Sequence, residues 1–514
     1  MKKVVAGLML AAVALGAALA QGAADIPAGF PDPVCAPLGA VKYPARDDAA
    51  TIVKMIAETK AAGRREVVIP QKNPKYADGL WIIEHAILVP SGTRIIIDGA
   101  RLVLADRVFC NVFQNEHARS KDRGKLSAED RDIEIVGRNG ATLDGGNYNG
   151  WGEQSLPWKR GIFYADAEHR EALAKAGKTL EDNSFVYFHN VKGFRVEGLK
   201  LRHQRRWACT FSYCSEGLIR DIRSEADISW VSEDGRDHRP NRVPREYGNL
   251  YVKNGDGIDL RQGCNNIRVE NLSGWSEDDM LALTNLGPFA RDGVEGKSPD
   301  IHHITVRNIR GATFRWFNLI RLLCADGTRI HDIDIDGVRE ECEPRMPWRG
   351  CVSAVRINDY LTEYYKVRQA VMGEVKDIVI RNVETAAAQP IHLFGPIENL
   401  TVENLHLRPG ASCAIGSWRE AEFKNVRVSH VTADESVKLG PVLRIPVAKG
   451  EIAIDDVRLA EAAGVVCTSG DVKVKLSNIR IDRLTGPERM TKDPVDRPEL
   501  PVLPAEYVDL PVGL

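Results

Sequence analysis

The chain has 514 residues, with 69 Lys and Arg against 71 Asp and Glu and a formal net charge of -2, so the overall balance gives no pull toward nucleic acid or an anionic membrane. Its length exceeds what one globular core usually holds, whereas a solenoid adds coils without enlarging its core. The 10 Cys and 12 His include no Cys-x-x-Cys and no zinc spacing, and neither a metal nor another cofactor is expected.

Lys2, Lys3, the apolar run from Val4 to Leu19 and the small-residue site Ala18-Leu19-Ala20 read as a secretory signal peptide over residues 1–20, cut before Gln21. The expectation is an exported monomer, periplasmic or extracellular, with residues 21–514 as one domain and no membrane span after the leader. In an exported chain Cys209/Cys214 and Cys342/Cys351 are the first disulfide candidates, with core thiols as the alternative. Asp47-Asp48, then Ile52, Val53 and Ile56, closed by Gly63, predict a capped amphipathic helix that covers an open first coil. Strands begin at Val67-Val68-Ile69-Pro70, Ile82-Ile83, Ile87-Leu88-Val89 and Arg94-Ile95-Ile96-Ile97.

A repeat follows: an alternating apolar strand, then Asn or Asp with one more apolar residue, then a second short strand. Asn266-Ile267-Arg268-Val269-Glu270-Asn271-Leu272, His303-Ile304-Thr305-Val306-Arg307-Asn308-Ile309, Asp377-Ile378-Val379-Ile380-Arg381-Asn382-Val383 and Asn399-Leu400-Thr401-Val402-Glu403-Asn404-Leu405 are clear copies. Alternation buries one face, and recurrence stacks each unit on the next. The Asn or Asp marks a sharp turn, because short polar side chains bond the backbone there and tolerate unusual dihedrals. A leucine-rich horseshoe lacks support, since its Leu spacing and intervening helices are missing. The fold class is therefore all-β, a right-handed parallel β-helix with an N-terminal capping helix. Polar insertions at 115–132, 155–183, 232–253 and 287–300 become loops on its faces. The last two flank the acidic motifs and are expected to wall a cleft.

Those motifs are Asn254-Gly255-Asp256-Gly257-Ile258-Asp259 and Glu277-Asp278-Asp279-Met280-Leu281-Ala282-Leu283, about one coil apart. Parallel strands stack at about 4.8 Å, so Asp256, Asp278 and Asp279 are expected to share one patch of wall. Crowded carboxylates cannot all ionise freely, which lets one hold a proton while its neighbours stay charged, as glycoside hydrolysis requires. An isolated Asp-Asp is more often a solvated turn or a calcium ligand; both motifs at one-coil spacing reverse that preference. An inverting mechanism wants its carboxyl groups about 6.5 to 9.5 Å apart, so outward splay or an offset of Asp278 from Asp279 would be needed.

These residues resemble the polygalacturonases and their relatives, glycoside hydrolase family 28, within the pectin-lyase-like β-helix fold. The resemblance extends from the Asp47-Asp48 helix through Gly140-Ala141-Thr142-Leu143-Asp144-Gly145 to the last coils, and is specific around residues 254–283. The family's Asn-Thr-Asp looks like Asn254-Gly255-Asp256, and its paired aspartates look like Asp278-Asp279. The resemblance implies that Asp278 protonates the leaving oxygen, that Asp256 and Asp279 position and deprotonate water, and that the product inverts.

Two exchanges point away from galacturonan. Where the family has Gly-His-Gly, this chain has Phe314-Arg315-Trp316, and where it has Arg-Ile-Lys, Arg356-Ile357-Asn358 keeps the Arg and loses the Lys. The expected substrate is thus an α-linked saccharide, acidic or sulfated, bound by Arg315 and Arg356 with Asn254, Trp316 and Arg206, because guanidinium groups match carboxylate or sulfate by two-pronged bonds and Trp can stack on a sugar. The run Arg202-His203-Gln204-Arg205-Arg206-Trp207 and Arg239, Arg242 and Arg245 are weaker contacts, with a solvated face as the plainer reading; His302-His303 read as flanking a strand. Two alternatives stay open: a polysaccharide lyase on the same fold, using Lys or Arg as base, and a non-catalytic carbohydrate-binding β-helix.

Overall fold

The computed structural model describes residues 42–106, 108, 110–118, 128–146, 183–226, 255–276, 278–286, 293–313, 317–342, 350–358 and 367–491, with the short backbone segments 230–231 and 237–238. Among these, 28 strands pair into one continuous parallel sheet. It winds as a right-handed parallel β-helix.

The core follows from the repeat. Ile267, Ile304, Ile333, Ile378, Leu400, Val426, Ile452 and Val474 are register partners on successive coils, and all are buried in one apolar column. Each β-branched or Leu side chain sits on its like from the next coil, so alternation within a strand becomes continuity between strands.

The Asn signal has the physical basis expected of it. Asn266, Asn271, Asn308, Asn382, Asn399, Asn404, Asn425 and Asn478 all lie at positive φ, a conformation that costs an ordinary L-residue about 1–2 kcal/mol. Side-chain ladders offset that cost. Asn308 Nδ2 donates to Asn271 Oδ1 at 2.8 Å, Asn271 Nδ2 donates to Asp221 Oδ1 at 2.8 Å, and Asn404 Nδ2 donates to Asn382 Oδ1 at 3.0 Å.

The capping helix spans Asp48–Ala61 and buries Ala49, Ile52 and Ile56 against the first strands, while Val53 stays exposed. Gly63 closes it at φ 67. The acidic pair does something other than expected. Asp47 makes no side-chain cap bond and reaches Lys75 Nζ and Tyr76 Oη instead. Asp48 is buried and accepts from Asn73 Nδ2 at 2.7 Å and Ile82 N at 2.8 Å. It pins the helix to the coil beneath.

None of the nine cysteines in the described residues is in a disulfide. Cys209 lies in the core strand Cys209–Ser212, and Cys214 Sγ donates to the carbonyls of Phe188 and Ser212. Burial pushes the Cys209 thiol well above its usual range. No helix among the described residues is long and apolar enough to cross a membrane.

Candidate active site

Two successive coils carry the carboxylates. Strands Ile258–Arg261 and Leu281–Asn285 pair in parallel with Ile258 beside Leu281 and Asp259 beside Ala282, which sets Asp256 directly against Asp279. Gly257 makes that approach possible: a Cβ there would stand 2.7 Å from the Met280 carbonyl oxygen. On its other side a Cβ on Gly255 would meet Trp207 Cδ1 at 2.9 Å. The Gly-Asp-Gly spelling is thus a packing requirement around Asp256.

One oxygen from each of Asp256, Asp278 and Asp279 lies within 4.8 Å of the others. The splay foreseen from sequence is not there. Asp256 and Asp279 are 1 % and 0 % exposed, whereas Asp278 is half-buried and retains solvent access. Asp279 N donates to Asp256 Oδ1 at 3.2 Å and to Asp278 Oδ1 at 3.0 Å. Asn318, one coil on, gives Asp279 Oδ1 two donors, its backbone N at 2.9 Å and Nδ2 at 2.7 Å.

The strand Asn318–Cys324 also supplies a cation. Arg321 is the register partner of Ala282, and its Nε stands 2.8 Å from Asp279 Oδ2 while Nη2 is 3.8 Å from Asp256 Oδ2. Asp259, fully buried, joins the cluster from below, with Arg261 Nη1 3.6 Å from its Oδ1. Burial, then the charges of Asp259, Asp278 and Asp279, push the Asp256 carboxyl well above its ordinary range. Burial pushes Asp259 up to about 7, against the pull of Arg261 and Arg321. Asp256 Oδ2 and both Asp259 oxygens receive no hydrogen bond from any described donor. A proton bridging this pair satisfies both groups.

The outward face continues along the stack. Arg321 is followed by Arg356 and then His392 as register partners. The Arg356 guanidinium lies 5.8 Å from the Trp418 ring centroid, and His392 sits edge-on to the same ring at 5.0 Å. Burial, then Arg356, holds His392 well below its usual basicity. Arg206 is 2 % exposed and stacks on Trp207 at 4.1 Å, with Arg261 over the same indole at 4.5 Å. Trp207 is 5 % exposed and offers no open face to a sugar. Arg205 is structural: its guanidinium donates to the carbonyls of Gly145, Val108, Leu104 and Ala105. His203 pairs with Asp144 at 3.1 Å. The basic run at 202–207 is therefore interior wiring for the most part, neither a solvated face nor an open binding strip.

Asn254, Arg315 and Trp316 lie outside the described residues, as do Arg239, Arg242 and Arg245. Sequence reasoning passed over Arg321, Asp259 and Asn318. The available signal for Arg321 was one charge inside the apolar strand Leu319-Ile320-Arg321-Leu322-Leu323, where alternation turns it outward one coil beyond the aspartate pair.

A divalent ion would need the same oxygens that Arg321 faces. With a guanidinium already 2.8 Å from Asp279, the donor set fits a resident organic cation better than a metal, for which like charge is repulsive.

No protein-family model and no curated protein matches the chain. Similar solved structures include a family 28 exopolygalacturonase of Yersinia enterocolitica, at 15% identity and TM-score 0.45 over 87% of this chain and 76% of that one. A mannuronan C-5 epimerase module of Azotobacter vinelandii is similar at 10% identity and TM-score 0.45, over 88% and 96%. A surface adhesin of Streptococcus pneumoniae is similar at 11% identity and TM-score 0.45, over 86% and 89%. These likenesses span an enzyme that cleaves, one that epimerises and a protein that adheres, and they assign no activity to this chain.

Proposed function

We propose that the protein is a carbohydrate-active enzyme that hydrolyses a glycosidic bond, with Asp278 delivering the proton. The observation that carries this reading is the convergence of Asp256, Asp278 and Asp279 within 4.8 Å, with Asp278 alone in reach of solvent. A general acid has to touch the leaving oxygen, and the two buried aspartates do not. They serve as the proton reservoir and hold the attacking water. The three carboxylate oxygens lie within 4.8 Å of one another, close enough for one water to bridge two of them at about 2.8 Å. In turnover the Asp278 proton goes to the departing glycosidic oxygen while water attacks the anomeric carbon and gives its proton to the Asp256–Asp279 side. Transfer back to Asp278 resets the site.

Inversion is the expected outcome, although the spacing is shorter than the common inverting range. A retaining enzyme needs a carboxylate that bonds to the sugar carbon. Asp256 and Asp279 are enclosed, out of bonding reach of a sugar carbon. Arg321 and Arg356, on adjacent coils of the same outward face, favour an anionic saccharide, carboxylated or sulfated.

The test is release of reducing ends from a panel of plant and algal polysaccharides, with ultraviolet absorbance of the products followed in parallel. Hydrolysis gives reducing ends without new absorbance. An unsaturated product would replace the hydrolase reading by a lyase, and binding without turnover would replace it by an adhesive role.

A further inference from the structure

Asp259 lies three residues beyond Asp256, on the strand Ile258–Arg261. Its neighbours Ile258 and Leu260 enter the apolar core, so alternation turns Asp259 to the other face, between Thr210 and Ala282 of the adjoining coils. There its carboxyl meets that of Asp256. The two residues are 0 % and 1 % exposed. Neither coil gives Asp259 a hydrogen bond: Ala282 has no polar side chain, Thr210 Oγ1 meets Ser184 Oγ at 3.3 Å, and Arg261 Nη1 stays 3.6 Å from Asp259 Oδ1. Both Asp259 oxygens and Asp256 Oδ2 are buried without a described donor.

Two buried carboxylates repel each other if both are charged, and share a hydrogen bond if one proton lies between them. Asp279 is placed differently. Its Oδ1 takes two donors from Asn318 and its Oδ2 faces Arg321, so both of its oxygens are engaged. Asp256 accepts one backbone donor, from Asp279 N at 3.2 Å, whereas a carboxylate offers about four acceptor positions. It therefore has room for both Asp259 and a water.

We propose that Asp256 and Asp259 hold a single proton between them, and that Asp259, by carrying it, leaves Asp256 free to accept the proton of the attacking water. On the hydrolytic reading above, on which this rests, Asp256 is thus the base and Asp259 a positioning residue that acts through it. The protons balance over a turnover. Asp278 gives its proton to the leaving oxygen, water bonds to the anomeric carbon and passes a proton to Asp256, and the pair, now doubly protonated, returns one proton to Asp278. The titratable and charged groups around the pair are Asp278, Asp279, Arg321, Arg261 and Arg206, with the Cys209 thiol close to Asp259. Burial raises the proton affinity of both members against the pull of the guanidiniums, as a retained proton requires.

A pair that shares a proton loses its two protons in separated steps, the first at lower pH and the second at higher pH than a lone carboxyl in the same place. Breaking the pair therefore moves two readouts in opposite directions. The first needs no substrate: infrared absorption of the carboxyl C=O, which separates protonated from ionised groups, is titrated in the unmodified full chain, in Asp259→Asn and in Asp256→Asn. The unmodified protein is expected to keep a protonated carboxyl that each variant loses at least about one pH unit lower. The second readout is the acid limb of kcat/KM on a saccharide that releases reducing ends, expected to rise by at least about one pH unit in Asp259→Asn. A purely structural change would lower the rate and leave the limb in place. An infrared titration unchanged in either folded variant, or an acid limb that stays or falls, would overturn the proposal while hydrolysis itself stands. Absence of any carboxyl still protonated at about pH 6 in the unmodified protein would overturn it without a variant. The infrared shift without cleavage of any saccharide would uphold the shared proton and remove the hydrolytic reading instead.

Discussion

Arg321 Nε stands 2.8 Å from Asp279 Oδ2, and the same guanidinium approaches Asp256 Oδ2 at 3.8 Å. One cation from one coil thus faces two carboxylates from the two coils before it. Asp279 is fully buried and the Arg321 side chain only 13 % exposed, so little water competes and the charges depend on each other more than a surface pair would.

Arg321→Ala is therefore expected to destabilise the fold by about 3–5 kcal/mol, the cost of leaving a buried carboxylate without its counter-ion. Arg321→Lys should recover part of this, since an ammonium restores the charge without the planar fork. Denaturant or thermal melts measure both. An Arg321→Ala protein as stable as the parent would show that Asp279 does not rely on this pair.

Asp278→Asn should leave the melt almost unchanged and lower turnover by about 10²- to 10⁴-fold, the range of a general acid. The amide has the same shape and no proton to give. Proton NMR of the first product from the unmodified protein should show the inverted anomer. Near-parental turnover in Asp278→Asn would remove the acid from this position, and a retained anomer would require a carboxylate nucleophile despite the burial of Asp256 and Asp279.

Much of this was legible in the chain because a solenoid writes its fold locally. Asn271 and Asn308 announced a left-handed turn, and the turn is there. Asp256 and Asp279, 23 residues apart, announced adjacent coils. Arg321 was harder to find, because loops of unequal length separate the coils and residue counting no longer gives the register. The role of the 202–207 run was invisible for another reason. Arg205 meets the carbonyls of Gly145, Val108, Leu104 and Ala105, which only the closed helix brings to it, and nothing in the spacing of the run says that it turns inward.

The Asn ladder makes its own prediction. Asn308 sits at φ 56, donates to Asn271 and accepts from Arg310 Nε at 2.8 Å. Asn308→Ala loses both bonds and keeps the strained dihedral, and should cost about 1–2 kcal/mol from the conformation alone. Asn308→Gly loses the bonds and relieves the strain, so it should be the milder change. If Ala were tolerated better than Gly, the positive φ would not be what the sequence selects at this turn.

Linkage between folding and pH follows from Asp259. Its carboxyl titrates at about 7 in the folded chain because of burial, against about 3.9 when unfolded. A raised carboxylate favours the protonated fold, so its stabilisation is complete below about pH 4 and is lost as pH rises toward 7, at up to about 1.4 kcal/mol per pH unit. Asp256 is shifted in the same direction. Other groups act in this window with mixed signs: His117, raised by its bond to Asp130, also loses stabilisation as pH rises, whereas His302 and His392, lowered by burial, gain it. Comparison with Asp259→Asn subtracts them. The amide keeps the shape and cannot ionise, and Arg261 keeps its place over the Trp207 ring. Thermal melts from pH 5 to 8 should show Asp259→Asn gaining on the parent as pH rises to about 7 and levelling off above it. Parallel curves would mean that Asp259 is already ionised in the fold at pH 5, with Arg261 and Arg321 outweighing its burial.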